Sequence, residues 1–402
     1  MFEDMNLITA DSILGLMAAY RADPDPRKVD LGIGVYRDEH GDTPIPAAVR
    51  QAERALLERE TTKSYVGPAG NPGYNQAMER LVFGEGHPAL AAGRVRSVQT
   101  PGGCGALRLG AELVRAASPE SVVYVSTPTW ANHEPLLSGA GLRLERYPYY
   151  DPSTGGVQFD AMLAALGKLP PRTVVLLHAS CHNPTGADLS QDQWRAVLAV
   201  VRRRQLLPFL DMAYQGLGGG LEADAFAIRL FCAELPEVMC AVSCSKNFGL
   251  YRERTGSLHV SCSTAAAADA VMSQLVRLGR GMWSMPPDHG AAIVHGILAD
   301  PGLTRLWREE LEHMRERVQG LRHAVVEQLR RHCPQRDFGF IAAQRGMFSF
   351  FGINTEQVRE LRIAHHIYMT ADSRMNIAGL RPENLEYFAR AVAQVLGSRA
   401  AA

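Results

Sequence analysis

The chain carries no excess charge of either sign. Lys and Arg total 42, Asp and Glu total 42, and the formal net charge is zero. That removes any general electrostatic pull toward nucleic acid or an anionic membrane, so a bound anion must be held by local charges. Long apolar runs are also missing, and nothing approaches the ~18 residues that argue for a membrane span. The opening MFEDMNLITADSILGLMAAYR has early acids and only a short apolar run, which is not the pattern of a signal peptide. Cysteine is sparse. The seven cysteines are scattered, odd in number and without a CxxC pair. This excludes a disulfide framework or zinc site as the organising feature and suits a reducing cytoplasm. No internal repeat occurs, nor any low-complexity tract longer than the terminal RAAA.

What remains is an ordinary globular composition, 46% apolar and 21% charged, over 402 residues. That length suits two domains, or one large domain with a satellite. From about residue 95 to 262, short apolar runs alternate with helical patterns. The runs SVVYVST, RTVVLLHAS, LLPFLDMA, EVMCAVSCS and SLHVSC lack polar alternation, as strands buried on both faces do. Between them lie ALRLGAELVRAA and DQWRAVLAVVRRRQ, which predict helices. Strand alternating with helix predicts an α/β domain with a mainly parallel sheet. Beyond residue 300, LTRLWREELEHMRERVQGLRHAVVEQLRRHC reads as one long amphipathic helix. The short apolar MFSFFGI and two further helical patterns follow it. The expected division is an N-terminal segment, 1–45, packing with a small α+β domain, 301–402, and a large domain, 46–300.

Ligands of open α/β sheets collect at the carboxyl ends of the strands, so the residues after each run are the candidates. TPGGCGALRLG offers glycines for close backbone approach and a helix start whose free N–H groups attract an anion, or simply a turn. TPTWANH places Trp130 where it can cover a planar ring, or serve in the core. ASCHNPTGADLS contains Asn183, an amide donor in a turn-forming context. DMAYQG puts Asp211 at the end of a strongly apolar run, where a carboxylate needs a cationic or donor partner or caps the next helix. Tyr214 follows three residues on. SCSKNFGLYRERTG brings Ser243, Ser245 and Arg254, an anion cradle, around Lys246. A lysine that forms a Schiff base must be a free amine, and desolvation or a nearby cation lowers its pKa. Taken together, these are phosphate ligands, an acid for a ring nitrogen, donors for a ring oxygen, a ring-covering indole and an amine for an aldehyde. That set describes pyridoxal 5'-phosphate.

With LGIGVYRDEHGDTPIP, TTKSYVG, QTPGGCGALR, CHNPTGADL, FLDMAYQG, SKNFGLYRERTG, RGMFSF and SRMNIAGL, the chain resembles the class I aspartate/aromatic amino acid aminotransferases nearly end to end. The resemblance implies a fold-type I pyridoxal-phosphate transferase with a mainly parallel seven-stranded sheet and a smaller α+β domain. It implies that Lys246 bears the cofactor and moves protons, and that Asp211 holds the pyridine nitrogen protonated. Asn183 and Tyr214 would bond the ring oxygen, and Trp130 would stack on the ring. Gly103, Cys104, Ser243, Ser245 and Arg254 would surround the phosphate, and His133 and His178 would support Asp211. Tyr65 would reach the phosphate of the neighbouring subunit, which makes the enzyme a homodimer with shared sites. Arg374 would grip the substrate α-carboxylate, Arg280 would reach across the dimer to a distal carboxylate, and Gly34 would line the same pocket.

Cys104 stands where Thr or Ser is expected, Cys244 is unusual between its serines, and GMWSMPP replaces a more polar segment. The expected reaction is ping-pong amino transfer between an aromatic amino acid, or aspartate, and 2-oxoglutarate. The alternatives are a transaminase for an unusual amino acid in a biosynthetic pathway, or a lyase or decarboxylase on the same fold. No metal, nucleic acid or membrane partner is expected.

Overall fold

The computed structural model describes residues 1–6 and 12–397. Residues 7–11 of the expected N-terminal segment, and 398–402 with the RAAA tract, lie outside the described residues. Seven strands form one sheet: β1 (Val95–Pro101), β2 (Val122–Thr127), β3 (Arg143–Pro148), β4 (Val174–His178), β5 (Leu207–Met212), β6 (Val238–Ser243) and β7 (Thr255–Ser261). Their spatial order is β1-β7-β6-β5-β4-β2-β3. Strands β3, β2, β4, β5 and β6 run parallel. Strand β7 runs against both neighbours, β1 and β6.

The apolar runs become strands because both sheet faces are covered. Every residue of β4, β6 and β7 is buried. The five apolar runs become β2, β4, β5, β6 and β7; not among them are β1, at one edge of the sheet, and, at the other, β3. That strand, RLERYP, buries only Tyr147. It is a sheet edge, where charged side chains are the usual protection against further pairing.

The helices that matter to the site start abruptly. Helix α1 (Gly102–Ala117) follows β1 without a loop. Helix α2 (Gln191–Arg204) opens on a capping box in which Ser190 and Gln193 satisfy each other's backbone N–H. Helix α3 (Ala265–Trp283) packs beside α1 and the β1 edge. The long helix expected over 303–333 is α4 (Pro301–His332), started by the Asp300 side chain accepting from Leu303 N and by Pro301 at the first turn.

Two small strand pairs complete the chain. Val29–Asp30 pairs in parallel with Ile367–Tyr368. Phe348–Phe350, inside the apolar MFSFFGI, pairs antiparallel with Arg374–Asn376. Among the described residues no helix is long and apolar enough to cross a membrane.

Candidate active site

A cavity of ≈ 290 Å³ opens at the carboxyl ends of β4, β5 and β6. All the expected site residues except Tyr65, Arg280 and His133, which lies behind Asp211, line it. Tyr65 is 89% exposed. Arg280 is exposed in the last turn of α3. Both were assigned to a neighbouring subunit's site, and neither belongs to the chain's own cavity.

One end of the cavity is an anion cradle. Helix α1 presents its first turn there, with no side-chain cap on its N–H groups. Ser243 and Ser245 flank it, and Ser245 N donates to Ser243 Oγ at 3.2 Å. Gly102 is held in the left-handed region, and Gly103 is packed closely beside it. A Cβ on Gly102, whose φ is +71°, would lie 2.5 Å from Arg254 Nη2, and one on Gly103 would lie 3.2 Å from Ser243 Cβ. Arg254 itself sits in the left-handed region, φ 52°, and donates to Tyr251 O at 2.9 Å. The thiol of Cys104 lines the same end and accepts from Asn132 Nδ2 at 3.6 Å.

At the centre, Asp211 closes β5. Burial alone would raise its pKa, but the hydrogen bond from His133 and the nearby Lys246 amine outweigh it, so the carboxyl titrates below its ordinary value. It is therefore not a helix cap. His133 Nδ1 shares Thr129 Oγ1 at 2.8 Å, and the same hydroxyl lies 3.2 Å from His178 Nε2. Desolvation lowers the pKa of His178 to about 3, so this ring is neutral. Asn183 is buried, and its Oδ1 has no hydrogen-bond partner. Trp130 meets His133 edge-on, ring centroids 5.3 Å apart.

Lys246 reaches in from the loop after β6, its Nζ 5.0 Å from the Tyr214 ring centroid. Burial lowers its pKa, Asp211 opposes that, and the cationic Arg254 adds to the lowering. Tyr214 is raised above its ordinary value by burial, against the charge of Arg374. At the far end the Arg374 guanidinium is buried and lies 4.5 Å from the Phe348 ring centroid. Its Nη2 donates to Gly32 O at 2.8 Å, and its Nε has no partner. Gly34 faces the same ring, and a Cβ there would lie 2.9 Å from Phe348 Cζ.

The sequence model of "Aminotransferase class I and II" matches residues 26–392. The chain belongs to the class I and II aminotransferases. It is 49% identical to the aromatic-amino-acid aminotransferase of Pseudomonas aeruginosa, covering 98% of both chains. It is 42% identical to that organism's aspartate aminotransferase over 98% of this chain and all of the relative. Among solved structures, the aromatic-amino-acid aminotransferase of Burkholderia pseudomallei, "covalently bound to pyridoxal phosphate", superposes with a TM-score of 0.96 at 46% identity, covering 98% of this chain and 99% of that one.

As a member, this aminotransferase is an amino-acid transaminase with pyridoxal phosphate as cofactor, and the expected fold and family hold. Its own residues fit that group. The cradle at α1 has donors and one cation for a phosphate. Asp211 Oδ2 accepts from His133 Nε2 at 3.0 Å. Asn183 retains an unpaired polar end, and Lys246 is the amine between them. Five lining residues escape the motif reading: Leu107, Ser180, Ala213, Tyr251 and Phe348. Tyr251 lies inside the quoted SKNFGLYRERTG, and its Oη accepts from Tyr36 N at 2.9 Å. Phe348 lies inside the quoted RGMFSF. In both motifs the ring lies beside an apolar neighbour, where it reads as core.

Proposed function

We propose that this transaminase moves amino groups between aromatic amino acids, with aspartate as a second donor, and 2-oxoglutarate, as a cytoplasmic homodimer. The observation that carries the reading is that Lys246 and Arg374 open into one cavity, with the buried guanidinium left without a carboxylate and seated on Phe348. The seven unpaired cysteines support the reducing compartment. The exposure of Tyr65 and Arg280, outside their own cavity, supports sites completed by a second copy.

When bound, pyridoxal phosphate supplies an aldehyde carbon for the amino group and a ring that accepts electrons from the substrate's Cα–H bond. The α1 N-terminus, Gly103, Cys104, Ser243, Ser245 and Arg254 hold its phosphate. Asp211 keeps a proton on the ring nitrogen, helped by His133. Asn183 and Tyr214 bond the ring oxygen, and Trp130 covers the ring. Lys246 Nζ takes the proton from the substrate α-carbon and returns it. Arg374 holds the α-carboxylate through two parallel hydrogen bonds, and Gly34 leaves the gap it enters. Arg280 of the second copy meets a distal carboxylate. The Met282, Trp283 and Met285 face beside it favours an aromatic side chain. The large unit, 46–300, carries the cofactor, and the smaller one, 301–402 with 1–45, carries the carboxylate end.

The test is a panel of amino acids mixed with the cofactor-loaded enzyme, read as bleaching of the lysine-bound cofactor's visible band. Phenylalanine or tyrosine should give the higher kcat/KM. No bleaching with any amino acid overturns transamination, and a ratio favouring aspartate overturns the aromatic preference.

A further inference from the structure

Arg322 lies in the middle of α4, completely buried, on the far side of the Phe348 strand from the cavity. None of its hydrogen-bond partners is a carboxylate. Its Nη1 donates to Ile341 O at 2.9 Å, and its Nη2 to Arg345 O, Gly346 O and Phe348 O at 3.2, 2.7 and 2.6 Å. A buried cation without an anion is costly unless hydrogen bonds compensate it. Here one planar group gathers the carbonyls of a short irregular segment that would otherwise be unpaired in the core.

The opposite side of that segment is also confined. Gly186 has φ +70°, and a Cβ there would lie 2.3 Å from Phe348 O. Gly186 O accepts from Arg345 N at 2.8 Å. The backbone of 345–348 is therefore clamped between Arg322 and the Gly186 turn. What it carries is the Phe348 ring, which lies under the Arg374 guanidinium and against Gly34. Two residues further, Phe350 pairs with Arg374 itself.

We propose that Arg322 is a positioning residue for α-carboxylate recognition. By fixing the carbonyls of 345–348 it sets the height of the Phe348 ring, and so the place and orientation of the Arg374 fork. The inference rests on the reading of Arg374 as the carboxylate grip. A bidentate fork tolerates little displacement, so a loosened clamp should weaken carboxylate binding before it affects proton transfer at Lys246.

Two variants test this in the cofactor-loaded enzyme. Arg322→Lys keeps the charge but cannot span the four carbonyls. Gly186→Ala presses on the same Phe348 carbonyl with Arg322 intact, and it decides the matter if the lysine variant does not fold. Each should raise the half-saturating phenylalanine concentration ~10-fold, the scale of one weakened charge-assisted hydrogen bond. The maximal bleaching rate should change less than ~3-fold, and the visible band and cofactor Kd should stay unchanged. The Kd of 3-phenylpropionate should rise by the same factor, while 2-phenylethylamine, which has no carboxylate, should be unaffected. The proposal is overturned if half-saturation is unmoved, if kcat and cofactor binding fall in step with it, or if 2-phenylethylamine weakens equally. Arg374→Lys separates the premises. If it leaves phenylalanine half-saturation unchanged, the carboxylate reading fails. If it raises half-saturation and neither clamp variant does, only the role of Arg322 fails.

Discussion

His133 Nε2 lies 3.0 Å from Asp211 Oδ2, at the end of a strand with no other charged residue. Burial works against the carboxylate, and this bond with the nearby Lys246 amine reverses the balance. A carboxylate held below its ordinary pKa is what a protonated ring nitrogen needs as a partner. Asp211→Asn should therefore retain the cofactor and lose ~10²–10³ in kcat/KM, the range for removing one preorganised electrostatic contact. His133→Ala, which leaves the carboxylate in place, should lose less. Stopped-flow bleaching with tyrosine measures both.

Lys246 is the only amine in the cavity, and burial holds its pKa below the usual lysine value. Lys246→Arg keeps a cation but removes both the covalent attachment and the proton carrier. The visible band of the bound cofactor should change, and amino transfer should fall by at least ~10³, within the range of lost general acid–base catalysis. Spectra and single-turnover rates of the purified variant decide this. Transfer within ten-fold of the parent would remove Lys246 from its role.

Cys104 offers a thiol, a weak donor, at the phosphate end. Cys104→Ser should tighten cofactor binding several-fold, since a neutral hydrogen bond contributes ~1 kcal/mol net. Equilibrium dialysis of pyridoxal phosphate against the apoenzyme reads it. An unchanged Kd would mean that the α1 N–H groups suffice without a side-chain donor.

Three histidines are buried uncharged. Desolvation lowers His178 and His259 to about 3 and His182 further. Their folded pKa values lie below the unfolded value of ~6.5, so the unfolded chain binds more protons once pH falls beneath that point. Stability from these groups is present above pH ~6.5 and lost on acidification, by up to ~1.4 kcal/mol per pH unit for each histidine. Urea midpoints of the apoenzyme should fall steadily between pH 6.5 and 5. His259, held between Ser97 and Ser257 far from the cavity, provides the control, because His259→Gln should make the slope shallower by one proton.

The strand ends were legible in sequence because burial on both faces leaves apolar runs, and chemistry at their ends then stands out as polar residues with no other purpose. Lys246, Asp211 and Asn183 are of this kind. Strand β3 was not legible, because an edge strand keeps its charges and loses the apolar signature. Phe348 and Arg322 were hidden for another reason. A phenylalanine in an apolar run and an arginine in a charged helix look like core and surface. Only the pairing of 348–350 with 374–376, and the approach of α4 behind it, gives them a common task. Tyr65 and Arg280 rested on family likeness alone, since no local pattern marks either of these exposed side chains.

The parallel pairing of Val29–Asp30 with Ile367–Tyr368 has a consequence for how the protein comes into being. Leu31 N also bonds Tyr368 O, and Gly32 O receives Arg374. Residues 29–32 can make these bonds only once residues 367–376, more than 330 positions later in the chain, have been synthesised. The sheet and its lysine can assemble while translation proceeds, because their contacts are closer in sequence. The contacts that seat Arg374 cannot, so the cavity around Lys246 should take shape before Arg374 reaches its place.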